Sequence, residues 1–122
     1  MLQGNFYEVQ SATSNGPAVT AVLSINAGHS IFSGHFPGQP VVPGVCMLQI
    51  VKELLENLIE SNTRLRKADH LKFLAVINPV IHPVIQADLS YTNGEEGSFI
   101  VIARLYSGQL TFLKFRGLFV VG

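Results

Sequence analysis

Polar and apolar positions change rhythm twice along the chain. Ala18 to Ile25 alternates and is rich in β-branched residues, which predicts a strand. A shorter strand is expected over Phe6 to Gln10, before a turn at Ser14-Asn15-Gly16-Pro17. Gly28 to Gly44 is broken by Pro37, Pro40 and Pro43 and reads as a loop. From Val45 the period becomes helical: Met47, Leu48, Val51, Leu54, Leu55, Leu58 and Ile59 share a stripe. Lys52, Glu53, Glu56, Asn57 and Glu60 occupy the other face of the later turns, so a solvated face is expected to open at Glu53. The first turns, VCMLQIV, are apolar almost all round, which predicts a helix buried at its start and half exposed at its end. Ser61 and Asn62 are expected to end it, and Arg64-Leu65-Arg66-Lys67 follows as a basic run in a loop.

The remainder alternates again. Strands are predicted over Leu71 to Ile77, Val84 to Thr92, Ser98 to Tyr106 and Gln109 to Val121. Asn93-Gly94 is a hairpin signal and Ser107-Gly108 a turn. The pattern predicts one α+β domain over residues 1–122, with about five or six antiparallel strands and one long helix on the sheet.

Composition narrows the function. Apolar residues are 48% and charged residues 13% of 122, lean for a soluble monomer, so some apolar surface is expected to pair with another chain. The formal net charge is zero, which argues against a nucleic-acid partner held by a positive field. A lone Cys46 excludes an internal disulfide and fits a reducing, cytoplasmic compartment. MLQGNFYEVQ lacks a basic start followed by an apolar run, so no signal peptide is expected. No apolar stretch approaches membrane-spanning length, so no membrane span is expected either.

Chemistry concentrates in GHFPGQPVVPGVCMLQ, Gly34 to Gln49. His35 lies in a loop pinned by prolines. Gly44 opens the helix, where free N–H groups and the dipole favour an oxyanion. Gln49 is the single polar side chain of the apolar first turns, and a buried amide needs a partner or a task. Together these suit a carbonyl substrate with an apolar tail.

His35 to Val45, HFPGQPVVPGV, resembles the signature of the FabZ/FabA-type β-hydroxyacyl-acyl carrier protein dehydratases, HFPGxPxxPGVLxxEAxAQ. Lys72-Phe73 and Asn78-Pro79-Val80 resemble that family's later KF…PV segment. The resemblance implies a hot-dog fold, a long helix wrapped by a curved antiparallel sheet, paired into a dimer or higher homo-oligomer. It implies action on 3-hydroxyacyl thioesters carried by acyl carrier protein, in fatty acid or related lipid or polyene synthesis, with no cofactor. His35 would be the general base at the α-carbon, and the Gly44 N–H would hold the thioester oxygen. Phe36, Pro43 and Val45 would line the substrate site beside Gly44. Arg64, Arg66, Lys67 and Lys72 would dock an acidic carrier protein, or form only a solvated loop.

The departure from the family is Gln49, which stands where the family has Glu or Asp. An amide orients a hydroxyl but supplies no proton. One turn later the family often has Gln, and this chain has Glu53. Either Glu53 recovers the acid role or it begins the solvated face, and the polar pattern points to the second. Two other functions therefore stand beside the dehydratase: a non-catalytic hot-dog subunit of a heteromeric dehydratase or acyl-binding protein, and an acyl thioesterase. His29 reads as a surface loop residue, and His70 and His82 as residues at strand ends. Cys46 reads as a packed core thiol. The spacing of His29, His35 and Cys46 fits no structural zinc site, so no metal is expected.

Overall fold

A computed structural model describes residues 1–34 and 38–122. Its strands are β1 (Tyr7–Asn15), β2 (Ala18–Ile25), β3 (Thr63–Phe73), β4 (Val84–Asn93), β5 (Ser98–Ser107) and β6 (Leu110–Val121). They form one antiparallel sheet in the order β1-β2-β4-β5-β6-β3. A four-residue helix, α1 (Ile31–Gly34), precedes the long helix α2 (Gly44–Ile59). This is the hot-dog architecture that the sequence resemblance implies.

The core lies between α2 and one face of the sheet. Ile50, Val51 and Leu55 of α2 meet Leu23, Ile85, Val101, Leu105, Leu113 and Phe119, all essentially solvent-free. Alternation explains the strands. Val19, Ala21, Leu23 and Ile25 point inward from β2, while the residues between them point out. α2 ends at Glu60, which adopts a left-handed conformation at φ 56° in place of the usual glycine. Glu56 secures that corner by accepting from Lys52 Nζ at 2.9 Å, Thr63 N at 2.6 Å and Thr63 Oγ1 at 3.2 Å.

Four expectations are corrected. The strand expected over Leu71 to Ile77 begins at Thr63 and ends at Phe73, so the basic run is strand and not loop. β3 is a sheet edge exposed along nearly its whole length, so burial never imposed an alternating pattern on it. His70 consequently lies within a strand instead of at its end. The first turns of α2 are not buried all round, because Val45 is 74% exposed. The solvated face does not open at Glu53, whose side chain is fully buried. The chain start and the first residue of β1 fold over that side of α2, with Phe6 and Tyr7 both sealed from solvent.

Candidate functional site

The helix start is set by proline chemistry. Pro43 is the N-cap of α2 at φ −61° and ψ 147°, and it accepts from Cys46 N at 3.0 Å and Met47 N at 3.2 Å. Among the described residues, no side chain caps the end and no acid sits in the first turn, so the first N–H groups of α2 have no side-chain partner there. The approach is held by Val42 N, which donates to Ile77 O at 2.9 Å. An apolar cleft of about 380 Å³ opens there, lined by Val42, Pro43, Gly44, Met47, Phe73 and Val76, with Val41, Leu74 and Ala75. The Phe73 ring lies where a side chain on residue 44 would stand, its tip 2.8 Å from that Cβ position. Glycine thus lets an aromatic ring close over the helix start.

Gln49 is half-buried and donates through Nε2 to Glu53 Oε2 at 2.8 Å. Glu53 accepts three further bonds: from Leu2 N and Gln3 N, both at 2.8 Å, and from the Tyr7 hydroxyl at 3.2 Å. Among the described residues no cation pairs with Glu53, and a buried carboxylate is then costly unless donors satisfy it, as these four do. Burial, then the Glu53 charge and the bond to it, push the Tyr7 phenol above its ordinary range, so it remains a donor. Cys46 is 4% exposed, and burial pushes its thiol up, in keeping with a packed core residue.

His35 and Phe36 lie outside the described residues. Of the remaining residues singled out in the sequence, Gly44 and Pro43 line the cleft, and Val45 stands exposed beside them. Gln49 and Glu53 are joined to each other. His29 is a structural loop residue: its Nδ1 accepts from Ile31 N at 3.1 Å and its ring meets Phe6 edge-on. His82 packs edge-on against Phe112.

The four cations of the docking expectation do not share one groove. Lys72 joins His70, Arg104, Lys114 and Arg116 around Ile102 in a shallow groove of about 360 Å³ on the sheet. Arg66 and Lys67 line a different groove beside Glu95 and Glu96, and Lys67 pairs with Asp69 at 3.4 Å. Sequence inspection missed Arg104, Lys114 and Arg116 because only strand pairing brings them beside Lys72. The register places Lys72 opposite Lys114 and Arg104 opposite Lys114 in turn.

The family model described as ApeI-like, ApeI dehydratase, matches residues 10–107. The chain belongs to the ApeI-like dehydratase family. Among curated relatives, the 3-hydroxyacyl-acyl-carrier-protein dehydratase FabZ of Wolbachia pipientis wMel is 27% identical over 84 residues, covering 61% of this chain and 57% of that protein. FabZ of Rickettsia bellii (strain OSU 85-389) is 28% identical over 69 residues, covering 57% of this chain and 48% of that one. The chain therefore spans about half the length of these relatives. Among solved structures, the dehydratase heterocomplex ApeI:P from Xenorhabdus doucetiae superposes with a TM-score of 0.69 at 18% identity, covering 90% of this chain and 95% of that one. The clamp on Glu53 from Leu2, Gln3 and Tyr7 lies before the first residue that the ApeI-like model matches.

Proposed function

We propose that this chain is a cytoplasmic dehydratase subunit that removes water from a 3-hydroxyacyl thioester carried by acyl carrier protein, in fatty acid or related lipid synthesis. The observation that carries this reading is the uncapped start of α2, opening on an apolar cleft under Phe73 in a chain of dehydratase family. An α-proton beside a thioester is weakly acidic, so its removal needs charge stabilised on the carbonyl oxygen as it develops. The Gly44 N–H serves that oxygen and His35 takes the proton. Hydroxide is a poor leaving group and must depart as water. Gln49 holds no proton to give, so the imidazolium formed at His35 returns the one it took. The carrier protein docks on the cationic groove of Lys72, Lys114 and Arg116, which adjoins the Phe73 end of β3.

A second reading is supported by a specific observation. Glu53, the nearest carboxylate along the helix, is fully engaged by four donors. A Gln49 position with no available acid beside it among the described residues suits a subunit that works beside an unlike partner, as in the ApeI:P heterocomplex. The exposed β3 edge, with Leu65, Leu71 and Phe73 all more than a third exposed, offers a surface for a like or unlike subunit. The test follows enoyl formation and free thiol release in parallel, using a 3-hydroxyacyl-carrier protein and the purified chain. Enoyl formation supports the dehydratase. Thiol release alone would replace it with a thioesterase. Enoyl formation only after adding an unlike hot-dog subunit would favour the second reading.

A further inference from the structure

Residues 2–6 precede β1 and lie outside the region that the ApeI-like model matches. They form a strap whose first end is pinned to α2. Leu2 N and Gln3 N donate to Glu53, and Asn57 Nδ2 donates to Gln3 Oε1 at 2.9 Å. The strap then folds on itself. Asn5 N and Phe6 N donate to Leu2 O at 3.2 and 2.8 Å, and Gly4 N donates to Tyr7 O at 2.7 Å.

Its second end meets the turn that leads to His35. Phe6 O accepts from Asn26 N at 2.8 Å, and Asn5 O accepts from Asn26 Nδ2 at 3.1 Å. Asn26 O accepts from His29 N at 3.0 Å, and His29 O from Phe32 N at 3.1 Å. The Phe6 ring is sealed from solvent. It stacks on Phe32 of α1 with centroids 5.4 Å apart and meets His29 edge-on at 5.4 Å. His29 Nδ1 accepts from Ile31 N at 3.1 Å and so caps α1. α1 needs this support, because four residues do not sustain a helix on their own hydrogen bonds. Gly34 ends α1, and His35 is the next residue in the chain.

We infer that Phe6 is a positioning residue for His35: it fixes the α1 turn from a strap anchored on α2, the helix whose start would hold the thioester oxygen. This rests on the reading above, in which His35 takes the α-proton. His35 and the Gly44 N–H serve one substrate, yet proline-rich chain separates them. The strap supplies a second tether between the two elements that carry them. Such a tether matters because a displacement of about 1 Å at a reacting group costs up to about 10²-fold in rate. A ring that only filled space would support stability and leave the turnover of each folded molecule unchanged.

The test reads the link and its consequence separately, at a temperature where circular dichroism shows every variant folded. Phe6→Leu keeps the site apolar and removes the ring face on which Phe32 stacks. Hydrogen exchange at residues 31–34 should accelerate by about tenfold or more. With the N-acetylcysteamine thioester of 3-hydroxydecanoic acid, kcat for enoyl formation should fall by about tenfold while KM stays within about twofold. His29→Ala, at a half-buried residue, removes both the cap and the edge contact; it should act alike, and it decides the matter if Phe6→Leu does not fold. His29→Asn restores an acceptor to the cap and should return kcat to within about threefold of the parent. Unchanged exchange at residues 31–34, or faster exchange with kcat unaltered, would overturn the inference and leave the dehydratase reading standing. A parent chain that forms no enoyl product would overturn that reading, and this inference with it.

Discussion

Replacing Glu53 with Leu keeps a side chain of similar bulk in a sealed site and removes every acceptor from it. Four donors then lose their partner: Leu2 N, Gln3 N, the Tyr7 hydroxyl and Gln49 Nε2. The backbone N–H groups are partly buried and regain water, so each loses only the net worth of a charge-assisted bond. Tyr7 is sealed and cannot. Its orphaned hydroxyl costs about 1–3 kcal/mol by itself. Removing a buried charge returns part of the total, because the carboxylate no longer has to be desolvated. The balance is a loss of about 3–5 kcal/mol, or about 10–20 °C in Tm for a domain of this size. Differential scanning calorimetry reads it directly. The clamp also joins the chain start to α2, so hydrogen exchange at Leu2, Gln3 and Tyr7 should accelerate more than elsewhere. A Tm within about 3 °C of the parent would show that the network holds little, and that Glu53 does not organise this end of the molecule.

Further outcomes follow from individual groups. Gln49→Glu places a second carboxylate against Glu53, so the pair shares a proton and position 49 gains an acid; dehydration should rise by about 10²-fold, and the exchange Gln49→Glu with Glu53→Gln should keep that gain with less loss of Tm. Burial alone would raise the Glu56 carboxyl, but the Lys52 bond and the Thr63 N–H hold it below its ordinary value. A lowered folded value means stability that is present above the unfolded value of about 4.3 and lost as pH falls through the folded one, so the Tm deficit of Glu56→Gln at neutral pH should vanish in strong acid. The Cys46 thiol, buried and pushed up, should react with an aromatic disulfide reagent at neutral pH only as the protein unfolds. Lys114→Glu with Arg116→Glu should raise KM for a carrier-bound substrate, leave KM for a small thioester unchanged, and weaken the salt dependence of the first.

The sequence was most readable where one face of an element is buried and the other is not. β2 runs from Ala18 to Ile25 as its alternation predicts, and β5 and β6 lie within a residue of expectation. The rule fails for β3, because an edge strand wet on both sides carries no alternation to read. It fails again at Glu53. Helical periodicity places Glu53 among Lys52 and Glu56, and nothing local announces that residues about fifty positions earlier will cover it. The α1 turn is too short for its period to register against the glycines and prolines around it. At the site, the motif made Gly44 and Gln49 legible as residues of interest. The ring over Gly44 and the direction of the Gln49 amide come from Phe73 and Glu53, which local patterns could not bring to them.

The most direct test is to incubate a 3-hydroxyacyl-carrier protein with the purified chain in heavy water and to weigh the acyl group by mass spectrometry. Loss of one water, abolished by His35→Ala in a variant whose circular dichroism is unchanged, is the result expected of a dehydratase. A 3-hydroxyacyl group that is bound yet unchanged, with neither water lost nor deuterium taken up at the α-carbon, would contradict it.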